Sequence, residues 1–243
     1  MSTSVSRIEP HSSTRTVLSI VLVVLALAAF CTVFVLVDNA YISFADARFP
    51  HVGTSAWLAT LWGVLSRAHL LILVIPITLS RPRMFGLQIG NTRKHWRMLV
   101  LMLLANCGVI AAFLWLTGNS TPYSGNQWLV TEILTVPVVE ELFWRGLVFT
   151  ALLLALGKFQ RGSTSMHLAV WFSGIAFGLM HVKNVVAGVP VEFVAIQALS
   201  AVIWGVMYGY ARAKTESIYP AILLHAAMNL VGVLVSGKVA HGW

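Results

Sequence analysis

The stretch "TVLSIVLVVLALAAFCTVFVLV", residues 16–37, contains no charged side chain. A helix of about 20 such residues rises far enough to cross a hydrocarbon layer of about 30 Å. Apolar runs of this kind recur at 55–80, 98–117, 128–155, 167–187, 191–211 and 218–237. The whole chain has 243 residues, of which 58% are hydrophobic and only 10% charged. Its mean hydropathy is +0.83, far above that of a soluble domain. The expected fold is therefore all-α, a polytopic bundle of about seven transmembrane helices. The first run is too long and too weakly flanked by charge for a cleaved signal peptide, and reads as a retained span.

The expected organisation follows from these runs. Residues 1–15 form a polar tail, rich in Ser and Thr. Residues 16–128 hold three spans and their loops, residues 129–237 a C-terminal core, and residues 238–243 a short tail. The net charge of +8 would suggest nucleic acid in a soluble protein. Here the basic residues lie in loops, where they set topology, and no nucleic-acid partner is expected. With the N-terminus inside, the inner segments carry Arg7, Arg15, Arg81, Arg83, Arg93, Lys94, Arg97, Lys158, Arg161, Arg212 and Lys214. The outer segments carry Arg48, Lys183 and Lys238. Eleven against three places the N-terminus in the cytoplasm and, with seven spans, the C-terminus outside. The two cysteines, Cys31 and Cys107, fall in apolar runs and supply neither a disulfide framework nor a cysteine metal motif.

Against this apolar background the polar residues within spans stand out. The fourth span contains "PVVEELFWRG", residues 137–146, with Glu140, Glu141 and Arg145. The fifth contains "FGLMH", with Phe177 and His181 four apart, and the seventh "HAAMN", with His225 and Asn229 four apart. A charge at this depth is expensive, so such groups are paired, neutral or functional. Glu141 and Arg145, at i and i+4, share a helix face and can pair. Glu140 is turned about 100° away, so one glutamate can be structural while the other faces a different neighbour. His225 and Asn229 share a face as well. Small residues support close packing: Gly174 and Gly178 form one GxxxG, Gly205 and Gly209 another. Arg67 and His69 in the second span are less informative, and Glu132 is expected at the mouth of the fourth.

The chemistry that fits this set is hydrolytic. A glutamate removed from water suits a general base and can take a proton from a water held by His181. His225 and Asn229 can donate hydrogen bonds to an oxyanion. The alternative is a zinc ion, held by histidines and a glutamate, that activates the water. Neither HExxH nor GxSxG occurs.

These residues resemble the CPBP family, which comprises the CAAX prenyl endopeptidases and their bacteriocin-processing relatives and is also called the Abi family. The resemblance rests on EExxxR at Glu140, Glu141 and Arg145, FxxxH at Phe177 and His181, and HxxxN at His225 and Asn229. It covers residues 129–232, and the approach "GVMYGYARAKTESIYPAILLHAAMN" is similar too. A short "FGL", residues 85–87, is similar to one that often precedes the family's core. The resemblance implies an intramembrane endopeptidase acting on a membrane-associated protein or peptide within the bilayer. Carried over, Glu140 activates water, His181 helps to position it, His225 and Asn229 form the oxyanion site, and Glu141 and Arg145 organise the cavity. The family is described both as metalloproteases and as glutamate proteases, so zinc stays open. The general look of the chain suggests a bacterial inner-membrane protein. Two other classes are weighed beside the protease. One is a non-catalytic immunity or regulatory protein that uses the polar cavity for binding. The other is an ion-coupled transporter with Glu140 and Glu141 as a proton relay, which broken helices or paired repeats would favour; neither is visible in the sequence.

Overall fold

The computed structural model describes residues 13–49, 55–118, 126–157, 163–186 and 188–241. The expected tail with Arg7, the loop with Lys158 and Arg161, and Gly242–Trp243 lie outside the described residues, as do the side chains of Arg15 and Lys238. Nine α-helices are described: α1 Ser13–Arg48, α2 Ala56–Leu65, α3 Ala68–Ser80, α4 Trp96–Thr117, α5 Val136–Glu141, α6 Phe149–Gly157, α7 Ser163–Leu179, α8 Val191–Thr215 and α9 Tyr219–His241. Two π-helical turns, Thr131–Thr135 and Leu142–Val148, flank α5, and a 3-10 turn, Met180–Val185, continues α7. No strand occurs among the described residues. The chain is an all-α, multi-pass membrane protein.

Five helical segments are long and apolar enough to cross a membrane: Val17–Arg48, Thr92–Thr117, Ser163–Val185, Val191–Thr215 and Tyr219–Ser236. The expected span 55–80 is two helices, α2 and α3, bent by 58°, and counted as one they make a sixth. At the break Ser66 Oγ and Arg67 Nη1 donate to the carbonyl of Gly63, at 3.4 and 3.3 Å. Such side chains satisfy backbone groups that an interrupted helix leaves without partners. The expected span 128–155 is not one continuous α-helix either. It is built from π, α, π and α pieces over 131–157.

The first helix was expected to stop at residue 37 and instead runs to Arg48. Its two aspartates find partners there. Asp38 is buried, 3.1 Å from His69 Nε2 and paired with Lys183. Asp46 accepts a hydrogen bond from Trp62 Nε1 at 2.7 Å. Polar side chains with partners can continue a helix that hydropathy alone would end.

The bundle is tightest between α7 and α8. The two GxxxG motifs meet there: a Cβ on Gly174 would lie 2.6 Å from the backbone nitrogen of Val206, and one on Gly205 would lie 3.0 Å from the carbonyl oxygen of Gly174. Only glycine lets these backbones approach so closely. Phe143, Trp144, Phe149 and Phe177 fill the core beside this contact. From α1, Phe34 packs on Phe143 with ring centroids 4.9 Å apart. Much of α1 otherwise exposes valine and leucine, the surface expected towards lipid.

The loop before α4 is docked. Asn91 N donates to the carbonyl of Thr215 at 2.7 Å, Ile218 N to that of Gly86 at 3.0 Å, and Arg212 Nη2 to that of Met84 at 3.1 Å. Gly86, in the "FGL" stretch, has φ +80°, and a Cβ there would meet the Arg212 guanidinium. The turn therefore needs glycine both for its backbone conformation and for space. This clasp fixes the ends of α8 and α9 that carry the site.

Candidate active site

The fourth segment positions two glutamates differently. Glu141 lies at the end of α5 with no exposed surface. Its Oε1 accepts hydrogen bonds from Arg145 Nη1 at 3.0 Å and from His225 Nδ1 at 2.9 Å. Arg145, also fully buried, donates through Nη2 to the carbonyl of Gly205 at 3.0 Å. Its guanidinium lies over the Phe177 ring, 4.4 Å from the centroid, and 5.4 Å from that of Tyr208. Arginine over aromatic faces keeps part of its electrostatic stabilisation where water is absent. Glu141 Oε2 and Arg145 Nε have no hydrogen-bond partner among the described residues.

His225 is held from both sides. Its ring stacks on Tyr208 with centroids 5.6 Å apart. Asn106, buried on α4, donates to Tyr208 Oη at 3.0 Å and to the carbonyl of Leu224 at 2.9 Å. Because the Glu141 carboxylate accepts, Nδ1 of His225 carries a proton, and Nε2 is the atom left to meet a ligand.

His181 opens the turn's polar side. Its Nδ1 lies 3.0 Å from the carbonyl of Phe177, one turn earlier. A carbonyl only accepts, so Nδ1 carries the proton, and the neutral ring keeps its lone pair on Nε2. The FxxxH spacing thus does two things. The phenylalanine ring supports Arg145, and its carbonyl fixes the histidine tautomer.

Glu140 is turned away from the Glu141 cluster, as the helical angle requires, and is half-buried. Its carboxylate has no hydrogen-bond partner among the described residues. It lies within electrostatic reach of His181, Arg145 and Glu132. Glu132 is the main departure from expectation. Asn229 Nδ2 donates to its carbonyl at 2.9 Å and lies 3.4 Å from its Oε2. The reason is the π turn at Thr131–Thr135. A π turn takes in one more residue than an α turn, so residues eight apart come round nearly as residues seven apart would, two full turns on.

Of the six predicted site residues, Glu141, Arg145 and His225 form one hydrogen-bonded cluster. Asn229 sits one turn from His225 and is engaged by Glu132, while Glu140 and His181 lie on the less enclosed side. The sequence reading gave Glu132 no part in the site and passed over Asn106 and Tyr208. Asn106 was open to discovery by the rule that picked out the others, because it is a polar residue in the middle of an apolar run. His69 was set aside and belongs to a second buried cluster with Asp38 and Lys183.

A zinc ion needs about four ligands, three of them from protein in a catalytic site. Among the described residues no group of three or more His, Cys, Asp and Glu side chains is arranged to hold a metal. These side chains do not make up a zinc site.

Residues 122–231 match a family model described as type II CAAX prenyl endopeptidase Rce1-like. No curated protein and no solved structure matches the chain. All three motifs, with Glu132, lie inside the matched residues, and over this part the chain is similar to the CAAX prenyl endopeptidase (CPBP) family.

Proposed function

We propose that the protein is an intramembrane endopeptidase that hydrolyses a peptide bond of a membrane-associated protein or peptide with a water activated by Glu140. The observation that carries this reading is the contrast on one helix. Glu141 accepts from both Arg145 and His225 through Oε1, whereas the Glu140 carboxylate and the Nε2 of His181 make no hydrogen bond to the described residues and lie within electrostatic reach of each other. In this reading a water donates to His181 Nε2 and gives its other proton to Glu140. The hydroxide attacks the scissile carbonyl, and the oxyanion is met by His225 and Asn229. His225 must then carry a proton on Nε2 as well as the one that Nδ1 shares with Glu141. Glu140 returns its proton to the leaving amine, so the base of the first step is the acid of the second.

The substrate class supported by the setting is a peptide, a peptide toxin or a membrane-anchored protein, reached from within the bilayer. The orientation, with the N-terminus in the cytoplasm of a bacterial inner membrane, rests on the eleven-to-three distribution of Lys and Arg. A reporter after Trp243 should be active outside and one within residues 81–97 inside. If both report cytoplasmic, the number of spans is wrong by one.

The test of function compares membrane proteomes of cells carrying the intact protein and the Glu140→Gln variant. Loss of a defined fragment in the variant supports the protease. Unchanged fragments together with tight binding of a partner by both proteins would instead make it a binding or immunity protein.

A further inference from the structure

We infer that Glu132 is a positioning residue for Asn229 and the third carboxyl group of the site. The inference rests on the protease reading above and adds a residue outside the three motifs. Its first support is the pair of contacts from Asn229 Nδ2, 2.9 Å to the Glu132 carbonyl and 3.4 Å to Oε2. A backbone carbonyl only accepts, so the amide must present its NH2 end on that side, whichever way Asn229 is first assigned. One N–H is fixed by the carbonyl. The other faces Oε2 across a long contact, which a stronger acceptor can take over. A developing oxyanion is such an acceptor.

The second support is how Glu132 comes to be there. The hydroxyl of Thr131 donates to the carbonyl of Ala59 at 3.0 Å, and a Cβ on Gly63 would meet the Thr131 side chain. The π turn is thus anchored on α2 rather than loosely bulged. π turns inside α-helices are found mostly at functional sites, because they rotate one side chain without ending the helix. This one carries Glu132 to the face of Glu140.

The third support is the surroundings. Glu132 lies within electrostatic reach of Glu140 and His225, and of Arg67 at the break between α2 and α3. Arg67 is tethered there through Gly63 and Ser66. The broken span thus supplies a cation within electrostatic reach of Glu132, which gives a role to a residue that the motifs leave unexplained. In the resting protein Glu132 holds the second N–H of Asn229, and on attack it yields that N–H to the oxyanion.

The test uses the full-length protein in liposomes, cleaving a membrane peptide, with Glu140→Gln as the control. Glu132→Ala should lower kcat about tenfold and leave KM within about twofold, because an oxyanion contact acts on the transition state. Glu132→Gln keeps an acceptor oxygen and should recover to within about threefold of wild type. In an Asn229→Ala background Glu132→Ala should add less than about twofold, since partners in one unit are not additive. If truncation unfolds the protein, Glu132→Met keeps the length, drops the acceptor, and takes the place of Ala in each comparison. A wild-type kcat without the acceptor overturns the inference. So does a Gln variant as slow as Ala, or an equal effect with and without Asn229. If Glu140→Gln itself cleaves at the wild-type rate, the protease reading falls and the role of Glu132 with it. If Glu140→Gln is inactive while Glu132→Ala is unimpaired, only the Glu132 assignment fails.

Discussion

Glu140 and Glu141 are adjacent, yet the two sides of their helix are built on different principles. The Glu141 side is closed. A carboxylate, a guanidinium, an imidazole and two aromatic rings meet with almost no exposed surface, and α5, α8 and α9 are tied together through them. The Glu140 side is half-open, and its carboxylate and the Nε2 of His181 are not committed to other protein groups. Buried charges that satisfy one another fix geometry. Polar atoms held in place but left without a partner are available for chemistry. In the proposed mechanism the closed side serves chiefly as the mount and the half-open side as the working face.

Removing one member of the closed side should have the largest effect. Arg145→Ala leaves Glu141 buried without its cation, and Glu141→Gln leaves Arg145 without its anion. Breaking a buried pair in this way typically costs about 3–5 kcal/mol. Both variants should lose thermal stability in detergent and lose cleavage with it. If Glu141→Gln keeps its melting temperature and loses only activity, the mount and the working face have been assigned the wrong way round.

Glu140→Gln comes next. It should melt like wild type and cleave about 100-fold more slowly or worse, a general-base effect equivalent to about 2.7 kcal/mol of barrier. Melting curves and cleavage rates for the same preparation decide it. Near-wild-type cleavage would remove the distinction between the two sides.

Gly205→Ala probes the place where the two sides touch. Its carbonyl holds Arg145, and an added methyl would sit 3.0 Å from the Phe177 ring, whose residue also holds His181 through its carbonyl. The expected cost is about 1–2 kcal/mol, in the range for forcing a methyl into a packed contact. Activity should fall by more than the stability change explains, because one shift moves both Arg145 and His181. Activity that only follows stability would mean that the sides are independent.

Chelation should have the smallest effect. The purified protein should carry substoichiometric zinc, and a chelator should leave melting temperature and cleavage unchanged within error, as no three His, Cys, Asp or Glu side chains among the described residues are arranged to hold a metal. Stoichiometric zinc whose removal abolishes cleavage would turn His181 and His225 into ligands and merge the two sides into one metal site.

The sequence by itself determined what depends on local spacing and on hydropathy. Apolar runs of bilayer length gave an all-α membrane bundle. Four-residue spacing gave the Glu141–Arg145 pair and the shared face of His225 and Asn229, because an α-helix brings residues four apart nearly into line. The 100° step separated Glu140 from Glu141. The two GxxxG motifs marked the faces where α7 and α8 meet. What only the tertiary structure decided lies where the chain leaves regular helix or where a partner comes from afar. A π turn adds a residue to the count, so no fixed period places Glu132 beside Asn229. Asp38 lets α1 run on past the apolar stretch because His69 and Lys183, distant in sequence, come to it. Asn106 looks like an isolated polar residue until α8 and α9 supply Tyr208 and the Leu224 carbonyl. Periodicity is a property of one helix. Whether a polar atom in a membrane is satisfied, and so whether it serves the mount or the working face, depends on which other helices pack against it.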